Sequence, residues 1–416
     1  MIETIIKRDG RKVPFDINKI AEAIYKAAKA TGGRDFETAK NLANNVVSYI
    51  ENQLHESEPS VEMIQDAVEK VLIEHGHART AKEFILYRAE RTRIRNMNTK
   101  LMKIYEELTF KDAVDNDIKR ENANIDGDTA MGTMLKYGSE GAKQFYEMFI
   151  IDPKFSKAHA EGDIHIHDMD FYTLTTTCCQ IDLDKLFTNG FSTGHGFLRE
   201  PKDIQSYSAL ACIAIQSNQN DQHGGQSIPN FDYAMAKGVK KTYKRLYQKN
   251  LSKALELLID KENSAEIVET LLVEMENDNL SPEMSDKNGF NEKLANILKE
   301  KFKDEKTAEK IIDFTVKNTL SETDRAVYQA MEALIHNLNT MHSRAGAQIP
   351  FSSLNYGMDT SDEGRMIIKN LLLATEKGLG NGETPIFPIQ IFRIKEGINY
   401  NGGDPNYDLF KLACRV

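Results

Sequence analysis

The sequence contains no tryptophan, and cysteine and proline are scarce, at four and ten of 416 residues. So few cysteines exclude the disulfide framework on which small secreted domains depend. No run of eighteen apolar residues occurs, which excludes an ordinary membrane-spanning helix, and the opening MIETIIKRDG lacks the apolar core of a signal peptide. We therefore expect a cytoplasmic protein without a membrane partner.

An excess of positive charge is also missing, because the formal net charge is −10. Binding to the phosphates of DNA or RNA needs clustered Lys and Arg, so no direct nucleic-acid partner is expected. With 416 residues, of which 40% are hydrophobic and 28% charged, the chain is long enough for two or three domains.

The N-terminal residues, 1 to about 95, read as one unit. MIETIIKRDGRKVPFD predicts a short β-hairpin that turns at Asp9-Gly10. Apolar spacing typical of amphipathic helices follows it four times. The predicted helices are Ile17–Thr31, Phe36–Glu56, Ser60–His75 and Arg79–Asn96.

Basic residues gather around this hairpin. Lys7 and Arg8 lie on the first arm, Arg11 follows the turn, and Lys19 opens the first helix. These cations could surround one polyphosphate, although a charged turn is ordinary on composition alone. Tyr87–Arg95 is also basic, and it is a linker, a phosphate-facing surface or a solvated helix end.

The stretch EGDIHIHDMDFYTLTTTCCQIDL, residues 161–183, concentrates reactive side chains. The alternation at Ile164–His167 predicts a strand. Cys178 and Cys179 stand side by side, and on a strand they should point to opposite faces. Three interpretations are open: a metal site formed by His165, His167 and nearby aspartates, a structural network of satisfied polar groups, or radical chemistry at cysteine.

A segment with paired glycines, two candidate strands and a C-terminal helix are the remaining motifs of the sequence. The segment His223-Gly224-Gly225-Gln226-Ser227, within DQHGGQSIPNFD, predicts a mobile loop that brings backbone N–H groups close to a ligand. Gln348–Leu354 and the apolar run 385–392 are candidate buried strands, and Tyr407–Val416 begins an amphipathic helix.

Two family resemblances rest on these motifs. KRDGRKVPFDINKI resembles the ATP-cone, a regulatory nucleotide-binding module, over roughly the first 95 residues. HIHDMDFYTLTTTCCQIDLDKLFTNGF, HGGQSIPNFD, NTMHSRAGAQIPF, GLGNGETPIFPIQIF and DPNYDLFKLA together resemble the anaerobic, glycyl-radical class of ribonucleoside-triphosphate reductases. The resemblance divides the chain into an ATP-cone, 1–95, and the N-terminal portion of a catalytic barrel, 96–416.

The resemblance implies an α/β fold: a mostly helical cone with its hairpin, then part of a ten-stranded α/β barrel. It further implies a homodimer that reduces ribonucleoside triphosphates to 2′-deoxyribonucleoside triphosphates with formate as reductant. A radical-SAM activase would generate the glycyl radical, ATP and dATP would act as effectors in the cone, and dNTPs would set substrate specificity.

Individual residues receive roles from the same resemblance. Cys178 matches the strand cysteine beneath the substrate ribose, with a role in hydrogen-atom delivery during reduction at C2′. Cys179 is expected to pack, and His165 to Asp170 to shape the strand. The cations Lys7, Arg8, Arg11 and Lys19 would hold ATP or dATP. The segment of Gly224, Gly225, Gln226 and Ser227 would link the effector site to the substrate, and no metal ligand is expected in this chain.

The chain also departs from the family pattern. The thiyl-forming cysteine, the glycyl-radical loop and a four-cysteine zinc site are expected after the DPNYD segment, beyond Val416. The isolated chain is therefore expected to be a fragment without activity. The alternative is a non-catalytic, nucleotide-sensing subunit or regulator that uses the ATP-cone alone.

Overall fold

A computed structural model describes residues 2–8, 10–53, 58–110, 129–173, 176–259, 264–344 and 347–416. The chain forms two compact units, one of residues 1–111 and 140–166 and the other of residues 112–139 and 167–416. The predicted domain boundary at residue 95 lies within a helix of the first unit and stays a prediction. Asp9 of the predicted hairpin turn and residues 54–56 of the second predicted helix lie outside the described residues.

The first unit is a helical bundle with a hairpin. Strands β1 (Thr4–Ile6) and β2 (Lys12–Pro14) pair antiparallel. Four helices follow: α1 (Ile17–Ala30), α2 (Phe36–Gln53), α3 (Val61–Glu74) and α4 (Ala78–Phe110). Within the described residues, the predicted hairpin strands and the four predicted helices are confirmed, with α4 extending well beyond its predicted end.

Local chemistry explains where these helices begin. The Asp16 side chain accepts a hydrogen bond from the Asn18 N–H at the start of α1, and Ser60 accepts one from the Met63 N–H at the start of α3. Their apolar faces meet in a core that includes Ile24, Val46, Val71 and Leu72. This unit also contains the end of α5 (Ala130–Phe145), a π-helical turn (Tyr146–Ile150) and α6 (Pro153–Glu161).

The second unit is built on a parallel sheet. Its four strands are β3 (Thr176–Gln180), β6 (Gln222–Ile228), β7 (Ser352–Tyr356) and β8 (Ile389–Phe392), and they lie side by side in this order. A separate two-stranded ribbon pairs β4 (Phe191–Ser192) with β5 (Phe197–Leu198).

Helices connect the parallel strands, and one more follows the last strand. They are α7 (Leu183–Asn189), α8 (Ile204–Asn218), α9 (Phe231–Ile259), α10 (Ser264–Asn277), α11 (Phe290–Phe302), α12 (Glu305–Thr340), α13 (Asp362–Lys377) and α14 (Tyr407–Arg415). This arrangement confirms the predicted α/β class, with a mostly helical N-terminal unit and parallel strands after it. None of the helices within the described residues is long and apolar enough to cross a membrane.

The two faces of the parallel sheet differ. Ile228, Leu354 and Tyr356 are fully or almost fully buried in the core formed with the connecting helices. Ile389 and Ile391 on β8 remain 42% and 40% exposed. Parallel strands are usually covered on both faces, so this exposed apolar face is the natural place to look for a site.

One strand prediction is wrong. Ile164–His167 has no strand conformation but forms an irregular connection after α6, which ends at Gly162 in the left-handed region with a φ of 83°. Alternation of apolar and polar residues over four positions predicts a strand only if a neighbouring strand is available for pairing. Among the described residues, pairing on this side of the sheet begins only at Thr176.

Candidate active site

A cavity of about 480 Å³ opens on the exposed face of the parallel sheet. All four parallel strands or the residues next to them contribute to its wall. The lining residues are Cys178, Cys179, Gln180, Gly225, Gln226, Ser227, Phe351, Ser353, Ile389 and Ile391. The volume and the mixture of apolar walls with a few polar groups are typical of small-molecule sites.

Cys178 stands at an irregularity in the pairing of β3 with β6. Thr177 is opposite His223, but Cys179 is opposite Gln226, so β6 contains one more residue than β3 between these pairs. This is a β-bulge, and such bulges redirect side chains beside active sites. Cys178 itself has a φ of 52°, which is uncommon for a residue with a side chain, and its thiol is exposed and free.

Two glycines of β6 make room at the bulge. A Cβ atom on Gly224, whose φ is 84°, would lie 2.8 Å from the Cys178 Sγ. A Cβ atom on Gly225 would lie 3.0 Å from the Phe351 ring. The prediction that Gly224 to Ser227 form a loop is wrong, because they belong to β6, whose Gln226 and Ser227 pair with both neighbouring strands. These glycines allow close approach rather than mobility.

Cys179 has different surroundings from its neighbour. The Asn218 side-chain amide donates to its Sγ at 3.0 Å and to the Gln226 Oε1 at 2.8 Å. Burial raises the pKa of the Cys179 thiol. The side chain packs against the core between the sheet and the helices, in line with the packing role expected for it, although it also contributes to the cavity wall.

The histidines and aspartates around β3 form a hydrogen-bonding scaffold. The Nε2 atom of buried His223 lies 3.0 Å from the Thr177 Oγ1 and 3.4 Å from the Asp168 Oδ2. The Nε2 of exposed His167 is also 3.4 Å from that carboxylate oxygen. Asp170 accepts a hydrogen bond from Ser139 at 2.7 Å. This arrangement favours the structural interpretation of the motif.

A metal centre receives no support from these side chains. Among the described residues, no group of three or more His, Cys, Asp or Glu side chains is placed to hold a metal ion. His165 belongs to the first unit, where its ring lies 5.6 Å from that of His159. The sequence motifs include His223 at the head of the Gly224-Gly225 segment, but they did not predict its contacts with Thr177 and Asp168.

The first unit contains a separate cationic surface. Arg8 forms an ion pair with Glu62 and donates to the Gln65 Oε1 at 2.8 Å, which ties the hairpin to α3. Burial, and then the positive charges of Arg8 and Arg91, lower the pKa of Arg95. Because α4 runs from Ala78 to Phe110, the basic run Tyr87–Arg95 lies in the middle of this helix and not at its end.

The four predicted effector cations lie on this hairpin and on the first turn of α1. Lys7 and Lys19 are exposed, as are Arg8 and Arg11. The hairpin turn is closed by hydrogen bonds from the Lys7 N–H to the Arg11 carbonyl at 2.8 Å and from the Gly10 N–H to the Lys7 carbonyl at 2.9 Å. The side chains at the turn are thus presented to solvent, together with Arg91 and Arg95 from α4.

Comparisons with known proteins add two family matches. Residues 121–416 match the family described as anaerobic ribonucleoside-triphosphate reductase, and residues 3–93 match the ATP cone domain. The chain is similar to the anaerobic ribonucleoside-triphosphate reductase of Salmonella typhimurium, with 27% identity over 416 residues that cover 99% of this chain and 50% of the relative. The Escherichia coli enzyme of the same name is 28% identical over 420 residues, with the same coverage.

The chain therefore spans about half the length of these curated relatives. Among solved structures, the anaerobic ribonucleotide reductase from Thermotoga maritima in complex with dATP and CTP matches with a TM-score of 0.43 and 12% identity, over 77% of this chain and 47% of that one. A structural likeness as low as this carries no functional information.

Proposed function

The chain belongs to the anaerobic ribonucleoside-triphosphate reductase family, and from this premise we propose that it provides the part of such an enzyme that holds the ribose of a ribonucleoside triphosphate against Cys178. The observation that carries the proposal is the exposed Cys178 thiol in a cavity of about 480 Å³ formed by the parallel strands. The family match over residues 121–416 favours this function over a regulator that uses the cone alone.

Cysteine suits this position for a chemical reason. An S–H bond is weak enough to exchange its hydrogen atom with a carbon radical, which acid–base side chains cannot do. In the proposed reaction, the 2′-hydroxyl takes up a proton and leaves as water, and Cys178 delivers a hydrogen atom to C2′. Formate would then return a hydrogen atom to the Cys178 sulfur and its remaining electron to the substrate, leaving as carbon dioxide. With formate as reductant, the balance is ribonucleotide plus formate plus one proton to deoxyribonucleotide, carbon dioxide and water.

The glycyl radical implied by the family would supply the unpaired electron with which the reaction starts. Residues of this chain would bind and orient the substrate. Formate, a radical-SAM activase and a second copy of the chain as homodimer partner belong to the same proposal. No metal role is assigned to the described residues.

The first unit is proposed to bind nucleotide effectors, ATP or dATP. The match of residues 3–93 to the ATP cone domain supports this role. So does the cationic surface, where burial and then the positive charges of Arg8 and Arg91 lower the pKa of Arg95. Phosphate oxygens would relieve this repulsion and accept hydrogen bonds from the guanidinium groups. Lys7, Arg11 and Lys19 would add further positive charge.

The segment from Gly224 to Ser227 is proposed to couple the specificity effector to the substrate through strand register rather than loop mobility. Gly225 is close to Phe351, so a β-branched residue at 225 would displace a cavity wall. Such a variant should blunt the effect of dNTPs on substrate preference in the complete enzyme.

The direct test of the proposed function is Cys178→Ala in a complete enzyme that contains this chain. We expect dNTP formation to fall by about a thousandfold or more, because no other group replaces a reactant thiol. Formation of the glycyl radical, measured by electron paramagnetic resonance, should be unchanged. The matched control is Cys179→Ala, which removes the neighbouring thiol and should keep substantial activity. Substantial activity in Cys178→Ala would refute the proposal.

A further inference from the structure

His223 lies directly before the glycine against which the Cys178 thiol packs, and the proposed chemistry gives it no role. His223 is only 6% exposed. Its imidazole faces the hydroxyl of Thr177 at 3.0 Å and the carboxylate of Asp168 at 3.4 Å. The Phe171 ring stacks on it, with centroids 4.7 Å apart and an interplanar angle of 12°.

These contacts restrict the imidazole in two independent ways. Ring stacking fixes the plane of the imidazole, and the hydrogen bond with the Thr177 hydroxyl directs Nε2 within that plane, with the Asp168 carboxylate 3.4 Å from the same nitrogen. The Phe171 ring is itself contacted by Arg344, whose guanidinium lies 5.6 Å from the ring centroid. A buried polar side chain satisfied in this way rigidifies the segments that it joins.

The segments joined are those that determine the position of the Cys178 sulfur. Thr177 and His223 are opposite each other and form the last regular pair before the bulge. The next residues along the two strands are Cys178 and Gly224, whose missing Cβ leaves the space beside the Cys178 Sγ. A rotation at either residue of the Thr177–His223 pair would therefore move the sulfur relative to the cavity.

We propose that His223 is a positioning residue for Cys178: through Thr177 on one strand and Gly224 on the other, the His223–Asp168 pair holds the bulge in the register that places the thiol in the cavity. The significance of that placement for ribonucleotide reduction rests on the proposed function. The placement itself is a property of the folded chain and can be measured without substrate.

The experiment measures alkylation of Cys178 by iodoacetamide in the 416-residue chain, without nucleotide, with peptide mass spectrometry as the readout. The rate is divided by that of Cys414, an exposed thiol in the same molecule. The variants are His223→Ala, which removes the contacts, and His223→Gln, whose amide nitrogen can replace Nε2 as a partner for Thr177. Thr177→Val removes only the hydroxyl, and His195→Ala, at an exposed histidine, is the matched control.

We expect His223→Ala and Thr177→Val to raise the Cys178 to Cys414 ratio roughly fivefold, the factor that corresponds to the loss of about one net hydrogen bond holding a conformation. His223→Gln should restore a ratio close to that of the unmodified chain, and His195→Ala should leave it unchanged. If His223 only filled space in the core, His223→Gln would not restore the Cys178 to Cys414 ratio. If His223→Ala does not fold, Thr177→Val alone provides the test.

An unchanged ratio in Thr177→Val and in folded His223→Ala would overturn the inference, as would a His223→Gln variant that behaves like His223→Ala. The activity assay of Cys178→Ala reports separately on the proposed function. A changed alkylation ratio together with an active Cys178→Ala enzyme would retain the positioning role and reject the chemistry. An unchanged ratio with an inactive Cys178→Ala enzyme would reject the positioning role and retain the proposed chemistry.

Discussion

The two units form their candidate sites in different ways. In the first unit, cations on the hairpin and on α4 lie on the surface of a helical bundle, and their positions follow from local helix geometry. In the second unit, the candidate thiol is placed by the backbone itself, through a bulge, a positive φ at Cys178 and a glycine beside its sulfur. Side-chain substitutions should therefore weaken the first site gradually, whereas backbone changes should disrupt the second abruptly.

Apart from substitution of Cys178 itself, the largest effect is expected for Gly224→Ala. The new Cβ would meet the Cys178 Sγ at 2.8 Å, and the φ of 84° strains any residue with a side chain. We expect the free energy of unfolding to fall by about 2 kcal/mol or more, measured by urea denaturation of the second unit's transition.

Gly194→Ala is the matched control for this substitution. Gly194 has a φ of 91° and nothing within 4 Å of an added Cβ, so it isolates the conformational strain from the contact with sulfur. It should cost about 1 kcal/mol. If both variants lose the same stability and the Cys178 alkylation rate is the same in both, the close packing of Gly224 against Cys178 does not matter.

A smaller effect is expected for Arg8→Ala in the first unit. The dissociation constant for ATP, measured by calorimetry on the 416-residue chain, should rise roughly tenfold, because one charge-assisted contact to phosphate is lost while other cations remain. The alkylation rate of Cys178 should not change.

Lys40→Ala, at an exposed lysine of α2 that pairs only weakly with Glu37 at 3.7 Å, provides the control and should leave ATP affinity unchanged. Because Arg8 also forms an ion pair with Glu62, the Arg8→Ala experiment has a second possible outcome. An unchanged ATP affinity combined with a lower melting temperature would show that Arg8 only ties the hairpin to α3. The proposal that the cations of the first unit form its effector site would then be contradicted for Arg8.

The two units also differ in how much of their structure could be predicted from the sequence. The bounds of α1 to α3 follow from apolar spacing and from caps such as Asp16 and Ser60, which are local signals. The core of the first unit then follows because residues such as Ile24 and Val71 repeat on the helix faces.

The second site was only partly predictable. The resemblance of residues 161–183 to a family singled out Cys178, but the pairing of Cys179 with Gln226 joins strands separated by two helices and a small ribbon. Register between distant strands is set by packing and not by local pattern. For this reason the conformation of Gly224 to Ser227 was predicted wrongly and the contact between His223 and Thr177 was missed.

Protection of the Cys178 thiol by CTP tests most directly whether this thiol lies in a ribonucleotide site. Each thiol of the 416-residue chain would be alkylated with and without saturating CTP. Cys414 serves as the exposed reference, and Cys212 should stay unmodified near neutral pH because burial raises its pKa to about 12. We predict that CTP slows alkylation of Cys178 roughly tenfold or more and leaves Cys414 unaffected. Equal rates at Cys178 with and without bound CTP would contradict a ribonucleotide site at this thiol.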